Sequence, residues 1–546
     1  MEELQNIKVP LPQKDFLCRW NFFFTWLLLF PLLLQMIFGL FSFTGAQWGN
    51  LLVTLLLRGI AGTLFILLLP RIPRKAAWAL MIAGSIGAGI FNLLDIFLLI
   101  HFGTTFDYGI WQLIRVAPWH EAKGFFQLFL LRFTTLAILL LYPAAGIIIF
   151  TVKKNKNLLT LLLLFTGAVL FFFNSVIPPK KLHIRTPAEK LKSFLQSWQS
   201  VRLHQNLEKA ANSLTVSHDD AEALYVLVIG ESHSRRRSSF YGFSKNTTPE
   251  LKKMVRKKQI IRFDDAVTPH TMTIFALPEL LTLYRGEKKH FSHFPSLPDI
   301  FRKAGFEVWY ICNQMPDSEK ELPFLAAAKR SDHFISLARP KQEPDSKIID
   351  VFSEILQSPC RKKFIIIQLL GNHWEYSSTY PKAASVFKSS AQASHKEKII
   401  NEYDNSLHYL DKNLTRLISL LEKQNQNSFF LYLADHGESL YEEDNFAGHS
   451  DLFPTAATAE IPMFLWLSPH FARPELKKAA ARAAKIPFLS SDLPHLLMEL
   501  ANLKANCFLP ERSLLNPAYK KTPRRVSTRS VEYETMKNRS TPVSEL

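Results

Sequence analysis

Three apolar runs in the second half of the chain each end in side chains that bind metals or move protons. Residues 225–229 lead into Gly230-Glu231-Ser232, residues 364–370 into Gly371-Asn372-His373, and residues 429–433 into Ala434-Asp435-His436-Gly437-Glu438. Continuous runs of this kind are expected of strands buried on both faces of a parallel sheet. In such a sheet ligands bind outside the carboxyl ends of the strands, so Glu231, His373, Asp435 and His436 are expected to meet in one crevice. Oxygen donors with imidazole suit zinc or manganese, and an Asp-His pair at a strand exit supplies two ligands from one rigid turn. A lone Asp-His pair would read as an exposed turn; three converging strand ends reverse that reading.

A metal in that crevice needs a nucleophile. Thr268-Pro269-His270-Thr271-Met272-Thr273 leaves an extended segment for what reads as a helix through Ile274-Phe275-Ala276-Leu277-Pro278. A hydroxyl at a helix start sits where backbone N–H groups point at an anion. Bound to zinc, a Thr hydroxyl ionises near neutral pH and attacks phosphorus. Thr271 and Thr273 both qualify, and N-capping is the competing role for either.

The elements that hold these residues alternate along the chain. Runs 225–229, 308–311, 364–370 and 429–433 read as strands, and stretches 296–304 and 399–421 as covering helices, which together predict an α/β sandwich of doubly wound type. Upstream the composition changes. Residues 1–177 hold 13 Lys/Arg and 6 Asp/Glu, against 52 and 41 in the rest of the 546-residue chain. Five apolar stretches there, 20–43, 50–69, 76–102, 125–151 and 158–177, are each long enough to cross a bilayer as a helix of roughly 20 residues. Nine Lys/Arg flank them on one side and two, Arg115 and Lys123, on the other. The asymmetry predicts a cytoplasmic N-terminus and an extracytoplasmic remainder, and four further spans favour an uncleaved anchor over a signal peptide. Arg58, Asp95 and Arg132 lie in or near spans, where they are expected to pair or to reach the head groups. Pro178-Pro179-Lys180-Lys181 ends the fifth helix, and an amphipathic helix over 186–214 is expected to lie on the head groups or on the next domain. The expected organisation is a five-helix membrane domain over 1–177, a linker over 178–220, a catalytic domain over 221–522 and a flexible tail over 523–546.

With 48% hydrophobic residues distributed so unevenly, the chain is neither a simple soluble enzyme nor a mostly disordered one. A net charge of +18 favours an anionic partner. Without a zinc finger, an RNP-like strand or a basic helix pair, that partner is expected to be lipid head groups or glycolipid and not nucleic acid. Four cysteines, Cys18, Cys312, Cys360 and Cys507, are too few for a disulfide framework; a Cys312–Cys360 bridge is left open.

The run Val226-Leu227-Val228-Ile229-Gly230-Glu231-Ser232, with Tyr241-Gly242-Phe243 and Thr247-Thr248-Pro249-Glu250-Leu251 behind it, resembles the first metal-ligand motif of the phosphoethanolamine transferases that decorate lipid A and the lipopolysaccharide core. Thr273 with Pro278 is similar to that family's nucleophile segment. Gly305-Phe306-Glu307-Val308-Trp309 leading to Asn313-Gln314, then Gly371-Asn372-His373, and Asp435-His436-Gly437-Glu438-Ser439-Leu440, resemble its remaining motifs. The resemblance implies a five-span anchor followed by a sulfatase-like domain of the alkaline phosphatase superfamily, in a bacterial inner membrane with the catalytic domain in the periplasm. It implies catalytic zinc, one ion or two, held by Glu231, Thr273, Asp435 and His436, with Thr273 as nucleophile and a phospho-threonine intermediate. His373 and His449 would bind phosphate, a second metal or the leaving oxygen, and Glu121, in Trp119-His120-Glu121-Ala122, would lie near the ethanolamine. The implied donor is phosphatidylethanolamine and the acceptor lipopolysaccharide, at a core sugar or lipid A, or another envelope glycan.

Members acting on lipid A flank the nucleophile with a disulfide, whereas Pro269 and Glu279 stand at those places here, and His449 is one residue further from Asp435. These departures lean toward the branch that modifies core sugars or other glycans. Three rivals share the general plan. A sulfatase needs Cys or Ser in a C/S-x-P-x-R setting, and Cys507-Phe508-Leu509-Pro510-Glu511-Arg512 has one residue too many. A phosphoglycerol transferase of the lipoteichoic-acid type shares the five spans and the Thr nucleophile. A non-catalytic membrane sensor would not need the full set of Glu, Thr, Asp and His.

Overall fold

The computed structural model describes residues 200–314, 323–337, 343–390, 392–443 and 447–537. The five expected spans, Glu121 and most of the linker lie outside them. Among the described residues no helix is long and apolar enough to cross a membrane.

One eight-stranded sheet organises these residues. Its strands in chain order are β1 (Ala223–Gly230), β2 (Ile260–Val267), β3 (Glu307–Cys312), β4 (His333–Ser336), β5 (Lys362–Gln368), β6 (Ser428–Ala434), β7 (Glu460–Leu467) and β8 (Phe488–Leu489), in the spatial order β8-β2-β7-β6-β1-β5-β3-β4. β1 lies at the centre, parallel to β5 and β6, with Tyr225 opposite Phe364 and Phe429. The expected parallel sheet is corrected in one respect: β7 runs antiparallel to both neighbours, β2 and β6. The connection from β6, residues 435–459, carries Asp435, His436 and His449 and brings β7 back in from the same end of the sheet, so the two strands pair in opposite directions.

The alternation of side chains divides the core into two layers. Val226, Val228, Ile365, Ile367 and Phe430 face helices α5 (Ser346–Leu356) and α6 (His395–Glu422), meeting Ile349, Phe352, Leu410, Leu414, Leu417 and Ile418. On the other face Tyr225 stacks on Phe429 at 4.4 Å, and Phe364 stacks on Phe301 of α4 (Leu297–Lys303) at 3.7 Å. Each such buried side chain contributes roughly 1.5–3 kcal/mol. Capping fixes where the helices start: Ser296 accepts from Asp299 N–H at 3.2 Å and Ser394 from Glu397 N–H at 3.2 Å. Asp411 of α6 accepts from Glu250 and Leu251 N–H, capping α2 (Pro249–Arg256) from outside.

The folded unit exceeds its expected limits at both ends. Helix α1 (Ser200–Asn212) packs Leu203 and Leu207 on Phe291 and Ala326, and Val216–Ser217 pairs with Lys504–Ala505, so this part of the linker lies on the domain. The expected flexible tail is overturned through Lys537. Arg525–Val526 pairs with Val531–Glu532, and helix α7 (Tyr533–Lys537) follows, with Val526, Tyr533 and Met536 buried against Val267, Ala456, Ala459 and Leu489. Arg524 joins Asp265 at 2.6 Å and Glu534 at 2.6 Å. A composition rich in Lys, Arg, Ser and Thr conceals three apolar anchors spaced to reach one patch.

Candidate active site

Glu231 leaves β1 at its carboxyl end and is buried. Ser232, at φ 52°, turns the chain immediately after it; a non-glycine residue there costs of order 1 kcal/mol or more. The turn lets the Ser232 hydroxyl donate to Glu231 Oε1 at 2.8 Å, while Gln314 Nε2 donates to Oε2 at 2.8 Å. Gly371, at φ +58°, follows β5 so closely that a Cβ there would lie 2.8 Å from Glu231 N, so only glycine allows this approach.

Helix α3 (Thr273–Leu281) begins at Thr273, with Met272 as N-cap and no side-chain capping bond. The Thr273 hydroxyl does not cap the helix. It donates to Glu231 Oε2 at 2.8 Å and lies 3.4 Å from His436 Nε2. The two threonines that the sequence leaves open are thereby separated: Thr271 Oγ1 is buried with no hydrogen-bond partner among the described residues.

Asp435 and His436 follow β6, both buried. Asp435 Oδ1 accepts from Ser232 N–H at 3.3 Å and His436 N–H at 2.7 Å, whereas Oδ2 is buried and has no hydrogen-bond partner among the described residues. His436 Nδ1 sits 2.9 Å from Gly437 O, which fixes the ring with its proton there and turns Nε2 toward Glu231 Oε1 at 3.2 Å and Asp435 Oδ2 at 3.8 Å. A Cβ on Gly437 would meet Ala457 O at 2.3 Å. Burial and the Glu231 charge push the Asp435 carboxyl well up. Burial opposes ionisation of Glu231 too, but His436 and His373 hold it well down. His436 loses by burial and gains more from Asp435 and Glu231, reaching about 10.

His449 completes the crevice. Its Nδ1 lies 2.6 Å from Glu438 Oε2, Tyr376 Oη donates to Oε1 of the same carboxylate, and its ring centroid is 4.1 Å from that of His436. Donor atoms of Glu231, His436 and His449 all fall within 4.8 Å of one another. His373, half-buried after β5, is close enough for its charge to bear on Glu231. Glu231, Asp435 and His436 thus form a buried floor, and half-buried Thr273, His373 and His449 its mouth. Two buried carboxylates, one with an unpartnered oxygen, beside an imidazole with its Nε2 turned inward, make a donor set that fits a divalent cation, and zinc by ligand type.

Reasoning from sequence brings all six described site residues together. It misses Gln314 and Ser232 as supports of Glu231, and Glu438 with Tyr376 as supports of His449. Glu438 stood in the quoted run, but its reach to His449 depends on the Ser439–Leu440 and Ala447–Gly448 pairing. The open cysteine question is answered. Cys312 and Cys360 lie at opposite ends of adjacent parallel strands and form no bridge with each other. Cys507 lies 4.0 Å from Met498 Sδ, and burial pushes its thiol up to about 11, the reverse of an activated nucleophile.

Comparison with known proteins gives the same picture. The family described as Sulfatase matches residues 223–503. Phosphoethanolamine transferase EptC of Escherichia coli (strain K12) is 28% identical over 358 residues, which is 60% of this chain and 62% of that protein, so the match spans less than two thirds of the curated relative's length. The crystal structure of the C-terminal periplasmic domain of EcEptC from Escherichia coli in complex with Zn aligns with TM-score 0.54 at 27% identity, over 59% of this chain and 96% of that one. The integral membrane protein lipooligosaccharide phosphoethanolamine transferase A (EptA) from Neisseria meningitidis aligns with TM-score 0.60 over 91% of this chain and 98% of that one, at 17% identity, a likeness of fold. The family match takes in just over half of the chain and all six described residues of the crevice, and the chain therefore belongs to the sulfatase family.

Proposed function

We propose that the chain is a membrane-anchored phosphoethanolamine transferase that moves phosphoethanolamine from phosphatidylethanolamine to lipopolysaccharide, through a covalent phospho-threonine at Thr273. The observation that carries the reading is the Thr273 hydroxyl, half-buried at a helix N-terminus and donating to Glu231 at 2.8 Å, beside His436. The names and folds of the similar proteins support the same class of transfer.

Glu231, Asp435 and His436 would hold a zinc ion together with Thr273 Oγ1, and that ion, when bound, supplies Lewis acidity that lowers the hydroxyl's pKa. Thr273 Oγ1, its proton lost to solvent at the half-buried mouth, attacks the phosphorus; the Oγ1–P bond forms and the bond from phosphorus to the glycerol oxygen breaks. His449 is built to give that oxygen its proton from Nε2, because Glu438 fixes Nδ1 and stabilises the charged ring. Diacylglycerol leaves, and an acceptor hydroxyl or phosphate then attacks the phospho-threonine, any proton it carries passing to His449 Nε2 or to His373, while the Oγ1–P bond breaks and Thr273 Oγ1 takes back a proton from solvent. The N-terminus of α3 favours the phosphate in both steps.

In the rest of this proposal, five spans over 1–177 anchor the chain in a bacterial inner membrane, with Glu121 on an outer loop near the ethanolamine group and the catalytic domain in the periplasm. Lipid donor and enzyme are then confined to one surface. The test is mass spectrometry of envelope lipids and glycans with and without the gene, together with transfer assays from phosphatidylethanolamine and from phosphatidylglycerol. Added phosphoethanolamine that depends on the gene is expected; transfer from phosphatidylglycerol alone would replace this reading with phosphoglycerol transfer.

A further inference from the structure

Helix α3 is a poor candidate to place its own first residue. It is nine residues long, has no side-chain N-cap, and contains Pro278; so short a helix has little stability of its own. What fixes Thr273 must come from outside the helix, and three charged side chains with no role in the chemistry above supply it. His270 Nδ1 lies 3.2 Å from Asp451 Oδ1, and His270 Nε2 lies 3.4 Å from Glu279 Oε1. Both ring nitrogens face carboxylates, so both carry protons and the ring is an imidazolium. Asp451 and Glu279 are buried, which makes the contacts expensive to leave unmade.

Asp451 has further partners. Its Oδ1 accepts from Thr271 N–H at 3.0 Å and its Oδ2 from Thr528 N–H at 2.8 Å. Ser527 N–H donates to Pro269 O at 2.7 Å, and the Thr268 hydroxyl donates to Asp435 O at 2.6 Å. The loop before Thr273 is therefore tied to its own helix through Glu279, to the segment just beyond His449 through Asp451, and to the C-terminal turn through Ser527 and Thr528. We propose that Asp451, His270 and Glu279 are positioning residues that set Thr273 Oγ1 against Glu231 and His449, with the turn at Ser527–Thr528 as their outer brace. The charges agree with the geometry: burial would lower His270, but Asp451 and Glu279 raise it to about 9. A misplacement of about 1 Å at a reacting atom costs ~10²-fold in rate, so a loop held from three sides has a catalytic consequence beyond stability.

The inference rests on the transfer reading for its kinetic arm only. In the full-length protein, Glu279→Gln and Asp451→Asn are each expected to lower kcat for transfer from phosphatidylethanolamine by ~10–100-fold, with KM and zinc content close to wild type. Hydrogen exchange of the peptide covering 268–281 is expected to quicken. Glu279→Gln should cost little further in a His270→Gln background, because the two act as one unit. Folded, zinc-loaded variants with wild-type kcat and unchanged exchange would overturn the proposal. Should Asp451→Asn fail to fold, Glu279→Gln, which alters a single contact, decides the matter. A wild-type protein inactive on phosphatidylethanolamine would sink the transfer reading alone; the exchange measurement would still test the triad, and unchanged protection would overturn it.

Discussion

Thr273 and Thr271 are two residues apart, of one type, and in different circumstances. The first presents its hydroxyl to Glu231, and the second buries its hydroxyl without a partner among the described residues. Thr273→Ala is therefore expected to abolish transfer while zinc stays bound by Glu231, Asp435 and His436; Thr271→Ala should stay active. Measuring phosphoethanolamine release and bound zinc on both variants checks this, and an inactive Thr271→Ala beside an active Thr273→Ala would reassign the nucleophile. Glu438 offers a second comparison. Glu438→Gln keeps the size of the side chain but cannot stabilise a protonated His449, and kcat should fall ~10²–10⁴-fold, the range for loss of general acid–base catalysis. Stopped-flow separation of the two steps would show which of them slows. Glu231, His373, Asp435 and His436 were legible in the sequence because each sits two or three positions beyond an apolar run. Gln314, Tyr376 and Asp451 were not, since nothing local distinguishes them from surface polar residues; their roles exist only once distant segments meet.

At the scale of elements, the sheet edge works by close approach of backbone. Gly371 lets the β5 exit touch the β1 exit, and a Cβ would lie 2.9 Å from Glu231 O. Gly371→Ala is expected to push Glu231 aside, weakening zinc binding and lowering kcat more than it lowers the melting temperature; competition with a chromogenic chelator measures the first. Strands β1, β3, β5 and β6 could be read from continuous apolar residues, and α4 and α6 from helical spacing. β2 could not. Its Arg262, Asp264 and Asp265 are only partly buried and break any apolar run, although Phe263, Ala266 and Val267 are fully inside. The direction of β7 was hidden for a different reason: composition reports burial, and pairing direction follows from which end of the sheet the preceding connection returns to.

The whole molecule is closed by a few buried charges, and these set its response to pH. Glu460 binds Arg236 at 3.0 and 3.1 Å, Arg235 at 3.1 Å and the Tyr533 hydroxyl at 2.9 Å, joining β1's exit, β7 and α7. Burial would raise its carboxyl, but Arg235 and Arg236 bring it down to about 2. A lowered carboxylate contributes stability above its ordinary value of 4.5 and loses it as pH falls toward 2. His270 is the opposite case: raised from 6.5 to about 9, it contributes fully below 6.5 and loses that contribution as pH rises through 9. Each is worth about 3 kcal/mol. Urea unfolding between pH 2 and 10 should show both limbs, with Glu460→Gln flattening the acid one and His270→Gln the alkaline one. A fragment beginning at Gln199 is expected to be soluble, folded and stabilised by added zinc, since α1 and the Val216–Ser217 pairing belong to this unit; a fragment with no thermal shift on zinc addition would count against the site.

The brace at Ser527–Thr528 also bears on how the molecule is made. Polypeptides are synthesised from the amino end, so Glu231, Thr273, Asp435, His436 and His449 all emerge before the turn that steadies the loop preceding Thr273. A nascent chain would carry every ligand and its nucleophile yet lack the last support of that nucleophile until Ser527 and Thr528 had been added. A stop codon anywhere upstream of Ser527 would leave the same unfinished state permanently. Full reactivity toward phosphate esters would then belong to chains that include Thr528, and fragments ending before it would lack the backbone N–H group that braces Asp451.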